Sequence, residues 1–147
     1  MKLFIINGPN LNMLGIREPS HYGKTDYKTL VAALLSHCES ISVDAEFFQS
    51  NHEGDLVDCI QRAYFEGADG IVINPGAYTH TSIALLDAVK STSLPTVEVH
   101  ISDVDAREEF RRVSYIRAAC IKTISGRGVR GYFDAVNELV AYIKGAV

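Results

Sequence analysis

Hydrophobic and polar positions follow two rhythms along this chain. Short β-branched runs at Lys2–Ile6, Val43–Phe48, Gly70–Asn74, Thr96–Ile101 and Ala119–Ile124 predict five strands. Between them, apolar residues recur three and four positions apart, the spacing of one helical face. Leu30, Ala33, Leu34 and Cys38 mark the first such face, and Leu56, Ile60, Ala63 and Tyr64 the second. Ile83, Leu86 and Val89 mark the third, and Phe133, Val136, Val140 and Ile143 the last. Boundary residues agree: Asp26 precedes the first helix, Glu66-Gly67 ends the second, and Leu94-Pro95 stops the third.

Strands alternating with helices predict an α/β domain whose parallel sheet is covered on both faces. Right-handed crossovers favour a flavodoxin-like three-layer sandwich, with five strands in the order 2-1-3-4-5. Ligands of such sheets bind outside the carboxyl ends of the strands. With 147 residues and no repeat or linker, the chain reads as one domain, 1–147, and its 47% hydrophobic content suffices for a core. Val43–Phe48 is expected at a sheet edge, where Phe47 and Phe48 would need covering.

Charge narrows the partners. Fourteen basic against eighteen acidic side chains, a net −4, weigh against a nucleic-acid surface, although a local pair of arginines can still bind a small anion. The apolar runs are too short to span a bilayer. The start, Met1–Gly8, lacks the length and cleavage site of a signal peptide, so a cytoplasmic location is expected. Cys38, Cys59 and Cys120 suggest no pairing and read as core packing, two on helical faces and one in the last strand. No metal site is expected: the histidines lack His-x-x-x-His spacing, and Asp103 with Asp105 lacks the rest of a calcium loop.

Four clusters carry candidate chemistry, each with a plainer reading beside it. The long link from Asn7 to Gly23 has prolines and glycines at both ends, as a lid over about residues 16–25 would. Within it Arg17 precedes Tyr22 by five positions. A guanidinium favours phenolate, which makes Tyr22 a candidate base; alternatively Arg17 is a surface cation and Tyr22 packs on the first helix. In the stretch from Asn74 to Ser82, Asn74 and His80 suit a polyhydroxylated ligand, while Thr81 or Ser82 serves as an N-cap in either reading. In the fourth strand Val97, Val99 and Ile101 share one face, and Glu98 and His100 the other. A carboxylate two residues from an imidazole at a strand end can orient it as a general acid, or simply form a satisfied pair. In Arg107–Arg112, Glu108 and Arg112 read as a helical surface pair, and one arginine could grip a carboxylate. The glycines from Gly126 to Gly131 read as a tight turn, since no strand follows to complete a dinucleotide site.

Together these clusters resemble type II 3-dehydroquinate dehydratases. The resemblance rests on Gly8-Pro-Asn-Leu-Asn-Met-Leu-Gly15, Arg17-Glu-Pro-Ser-His-Tyr-Gly23, Gln49-Ser-Asn-His-Glu-Gly54, Asn74-Pro-Gly-Ala-Tyr-Thr-His80 and Glu98-Val-His-Ile-Ser102, and covers nearly the whole chain. It implies a flavodoxin-like hydro-lyase without metal or organic cofactor. The implied reaction is anti elimination of water from 3-dehydroquinate through an enol or enolate, giving 3-dehydroshikimate, in aromatic amino-acid biosynthesis or quinate catabolism. Residue by residue, it implies Tyr22 as base, Arg17 holding its phenolate, His100 as acid oriented by Glu98, and Asn12 holding a water at the enolate. Asn74, His80, Ile101, Ser102 and Arg111 would bind substrate oxygens. Asp87 would reach across a trimer interface in a dodecamer. Two positions depart from the pattern: Asp103 replaces a usual Asn, adding negative charge near an anionic substrate, and Arg127 replaces an apolar turn residue.

Two other classes compete. A flavodoxin-like receiver would carry acidic residues after strand one, and a flavin binder a Ser/Thr-rich phosphate loop; this chain has Asn7-Gly-Pro-Asn10 there. A catalytically dead homologue is opposed by the full set of Arg17, Tyr22 and His100.

Overall fold

The computed structural model describes residues 1–16, 20 and 24–145. Its five parallel strands are β1 (Lys2–Asn7), β2 (Asp44–Gln49), β3 (Gly70–Asn74), β4 (Thr96–Val99) and β5 (Lys122–Ile124). They lie in the order β2-β1-β3-β4-β5, as the alternating pattern predicts. Helices α1 (Tyr27–Ser40) and α4 (Arg130–Ile143) cover one face; α2 (Glu53–Phe65) and α3 (Ile83–Thr92) cover the other.

Strand alternation divides the core in two. Leu3, Ile5, Val72, Val97 and Val99 face α1 and α4. Phe4, Ile6, Ile71 and Ile73 face α2 and α3. Both faces of β1 and β3 are therefore apolar, as central parallel strands require. Caps set the helix starts: Asp26 accepts from Thr29 N at 2.7 Å, and Ser82 from Leu85 N at 2.9 Å. Gly67, in the left-handed region at φ +71°, closes α2.

Several expected positions shift. Tyr64 is exposed, and so is Ile83; α3 instead buries Leu85, Ala88, Val89 and Thr92. Ala33 of the first expected stripe is exposed, leaving Leu30, Leu34 and Cys38 inside. In α4 the deepest residues are Tyr132, Ala135, Val136 and Leu139, with Phe133 and Ile143 at the margin. The last strand, expected over 119–124, pairs only from Lys122, because Ile116–Ala119 forms a 3-10 turn. Cys120 therefore precedes the strand. The expected Glu108–Arg112 helical pair is absent; 3-10 turns at Val104–Ala106 and Glu109–Arg112 bring Glu108 to Arg111 three residues on.

Candidate active site

The carboxyl ends of β1, β3 and β4 open onto one cavity of about 160 Å³. Asn7 and Asn74 end their strands side by side in register. The hydroxyl of Tyr132, from α4, inserts between them: it donates to Asn7 Oδ1 at 2.6 Å and accepts from Asn74 Nδ2 at 2.9 Å. Asn74 Oδ1 accepts from Gly76 N at 3.1 Å, so the amide's orientation is fixed. Burial pushes the Tyr132 phenol well above its ordinary pKa, which keeps it neutral. Gly8 seals the two strand ends together. Its N–H donates to Asn74 O at 2.7 Å, and a Cβ there would stand 2.5 Å from Pro75 O.

Beyond β4 lies the most charged buried group. Glu98 is 0% exposed. Its Oε1 accepts from Thr79 Oγ1 at 2.5 Å and Ser114 Oγ at 2.8 Å, and meets His100 Nε2 at 2.7 Å. Its Oε2 accepts from Thr123 Oγ1 at 2.9 Å. Burial alone would push this carboxyl up. Hydrogen bonding to His100, the charge of that ring, and the Thr79 and Ser114 hydroxyls overcome it and bring Glu98 down to about 2. Glu98 is thus a permanent anion behind His100, which is buried and lines the cavity.

His80 lines the same cavity, with Nδ1 2.6 Å from Val113 O. Desolvation lowers its pKa against that hydrogen bond, so near neutral pH it donates from Nδ1 and keeps Nε2 as an acceptor. Arg107 and Arg111 supply positive charge at the opening. Glu108 Oε2 lies 2.7 Å from Arg111 Nε and 3.8 Å from Arg107 Nε. A cavity with two guanidiniums, two imidazoles and a fixed amide suits a small, oxygen-rich anion.

His100, Asn74, His80, Ile101, Ser102 and Arg111 all line this cavity, and Glu98 stands behind it. Asn12 is not in the wall; it is exposed on the 3-10 turn Leu11–Met13, with Oδ1 3.5 Å from Gln49 Nε2. Asp87 is exposed on α3, outside the cavity of its own chain. Arg17 and Tyr22 lie outside the described residues, and with them most of the lid expected at about 16–25. Asp103 lies against Gly126 rather than in the cavity wall. Arg127 pairs with Asp134 at 2.8 Å, a use for charge at the turn that spacing did not show. Arg107 lies in the run from which the sequence offers one arginine for an anion, and the cavity takes it in addition to Arg111. No group of three or more His, Cys, Asp or Glu among the described residues is arranged to hold a metal ion.

Comparison with known proteins is consistent along nearly the full length. The profile of the family described as dehydroquinase class II matches residues 1–140. A 3-dehydroquinate dehydratase from Caldicellulosiruptor bescii is 51% identical over 138 residues, covering 94% of this chain and 95% of that one. One from Clostridium perfringens strain 13 is 50% identical over 144 residues, covering 98% and 99%. The crystal structure of a type II dehydroquinase from Butyrivibrio crossotus superposes with a TM-score of 0.94 at 52% identity, covering 95% of this chain and 97% of that one.

Proposed function

The chain belongs to the dehydroquinase class II family, and from that premise we propose how its own residues remove water from 3-dehydroquinate. Its activity is that of a type II 3-dehydroquinate dehydratase, a hydro-lyase of the shikimate pathway. Tyr22, held as phenolate by Arg17, takes the proton from the carbon beside the ketone. The electron pair moves onto the ketone oxygen as an enolate, stabilised by a water that Asn12 helps hold. His100, protonated, donates to the departing hydroxyl on the opposite face; water leaves and the enone forms. Acid–base groups of the protein carry every step.

The observation that carries this reading is the buried Glu98–His100 pair opening onto an anion-suited cavity. Glu98 keeps its negative charge at any working pH and stabilises the imidazolium that the acid step needs. Asn74 and His80, with the Ile101–Ser102 backbone, meet substrate hydroxyls, and Arg111 grips the carboxylate with Arg107 beside it. Residues of about 16–25 act as the lid of this single catalytic domain.

The enzyme works as a homododecamer, a tetramer of trimers, in which Asp87 reaches a neighbouring subunit's cavity. Supporting this, Asp87 is exposed away from its own cavity, and exposed Phe110, Val113 and Tyr115 flank Arg111. A cytoplasmic location fits a pathway enzyme with no described helix long and apolar enough to cross a membrane.

The test is enone absorbance when the purified protein meets 3-dehydroquinate, with Tyr22→Phe measured alongside. Wild-type turnover falling roughly 10²–10⁴-fold in the variant is expected from loss of the base. Folded wild-type protein without turnover would sink the reaction, and an undiminished Tyr22→Phe would sink the assignment of the base.

A further inference from the structure

We propose that Thr79, Ser114 and Thr123 are positioning residues for the general acid: their hydroxyls lock the Glu98 carboxylate in one plane, and Glu98 in turn aims His100 into the cavity. The inference rests on the reading of His100 as the acid. The three hydroxyls come from three separate parts of the chain. Thr79 sits on the 3-10 turn after β3, Ser114 just before the turn at Ile116–Ala119, and Thr123 on β5. They approach both carboxylate oxygens, at 2.5 Å and 2.8 Å for Oε1 and 2.9 Å for Oε2. Arg117 Nε stands 3.7 Å from Oε2, a charge neighbour rather than a hydrogen-bond donor.

A carboxylate turns easily about its last torsion, which has a broad energy profile. One donor leaves that rotation open; donors on both oxygens close it. The imidazole then has one bonding direction, with Nε2 committed to Glu98 and Nδ1 left for the ligand. Thr79 and Ser114 are also 2.6 Å apart. Each hydroxyl has one proton, so either both donate to Oε1 or one donates to the other and a single proton reaches Oε1; with Thr123 on Oε2, both oxygens keep a donor in either arrangement.

None of the three hydroxyls lines the cavity. Their loss reaches the reaction only through Glu98 and His100, which separates them from residues that bind substrate. Deleting a hydroxyl should therefore lower kcat and spare KM, because the defect appears when the proton is delivered.

Steady-state kinetics of Thr79→Val and Thr123→Val, with the serine variants as controls, test this. We expect kcat to fall about tenfold in each valine variant with KM within roughly twofold, and serine to restore most of the rate. Nitrogen-15 NMR of labelled histidine gives a second readout, independent of turnover. Neutral His100 should carry its proton on Nε2 in the wild type and divide between tautomers in the valine variants. A folded valine variant with wild-type kcat and an unmixed tautomer would overturn the proposal, as would a loss confined to KM. Should Thr79→Val fail to fold, Thr123→Val decides, since Thr123 is only partly buried. Wild-type protein without turnover would count against the functional reading instead, leaving the tautomer measurement to judge the lock.

Discussion

Glu98 and Glu108 are both carboxylates held by a nitrogen-bearing side chain of the same cavity wall, His100 and Arg111 respectively, yet they differ in kind. Glu98 is sealed from solvent, and its His100 and hydroxyl donors outweigh a large desolvation penalty. Glu108 sits in water; its own backbone N–H and then Arg111 hold its carboxyl below the ordinary value. Removing a partner from the first leaves a buried group with nowhere to turn. In the second, water replaces the partner at once. The end of β4 is therefore built to stay as it is, whereas Glu108 holds the arginine-bearing segment only through contacts that water can replace.

Breaking this contrast should produce its largest effect at Glu98. The fall of its pKa from 4.5 to about 2 corresponds to about 3 kcal/mol of folding stability at neutral pH. Because the folded pKa is the lower one, that stability is full above about pH 4.5 and drains away as pH falls toward 2. Denaturant unfolding of Glu98→Gln should show the deficit at pH 7, narrowing to roughly less than half at pH 3. An equal deficit at both values would mean that charge is not what Glu98 contributes.

Tyr132 sharpens the comparison by separating burial from charge, since it is as buried as Glu98 but neutral. Tyr132→Phe removes the hydroxyl that joins Asn7 and Asn74 and should cost about 1–3 kcal/mol, the price of two amides losing a buried partner. The gap from wild type should stay constant between pH 5 and 8, and KM should rise as Asn74 loses its fixed orientation. A pH-dependent gap would implicate some charged group in what is here a neutral network. The smallest effect belongs to Glu108→Gln: no measurable change in melting temperature and KM within about twofold, because water and ligand both substitute for an exposed partner. A clear stability loss there would erase the distinction between the two carboxylates.

The parts of the molecule legible in the sequence share a local origin. Five apolar runs and four periodic segments gave the strand order, and the Glu98–His100 pair was visible because two residues on one strand face must be neighbours. What stayed hidden depends on distant parts of the chain meeting. Thr79, Ser114 and Thr123 read as unremarkable hydroxyls until three loops and strands converge on Glu98. Tyr132 falls outside the periodic face of Phe133, Val136, Val140 and Ile143 that the sequence shows; only the register of Asn7 with Asn74 gives its hydroxyl a purpose. The place of Arg107 beside Arg111 at the cavity was obscured because 3-10 turns replaced the helix that charge spacing suggested. The Arg17–Tyr22 pair, read from spacing and resemblance, falls outside the described residues.

The missing side chain at Gly8 has a mechanical consequence. Only a hydrogen atom separates the link after β1 from the backbone of Pro75, so the two stretches pack without a gap at this point. A methyl group there would act as a wedge, prising Asn7 from Asn74 and opening the floor on which the ligand rests. Under the proposed function, a floor held this way leaves accommodation of the substrate to the wall that carries Arg107 and Arg111 on short turns.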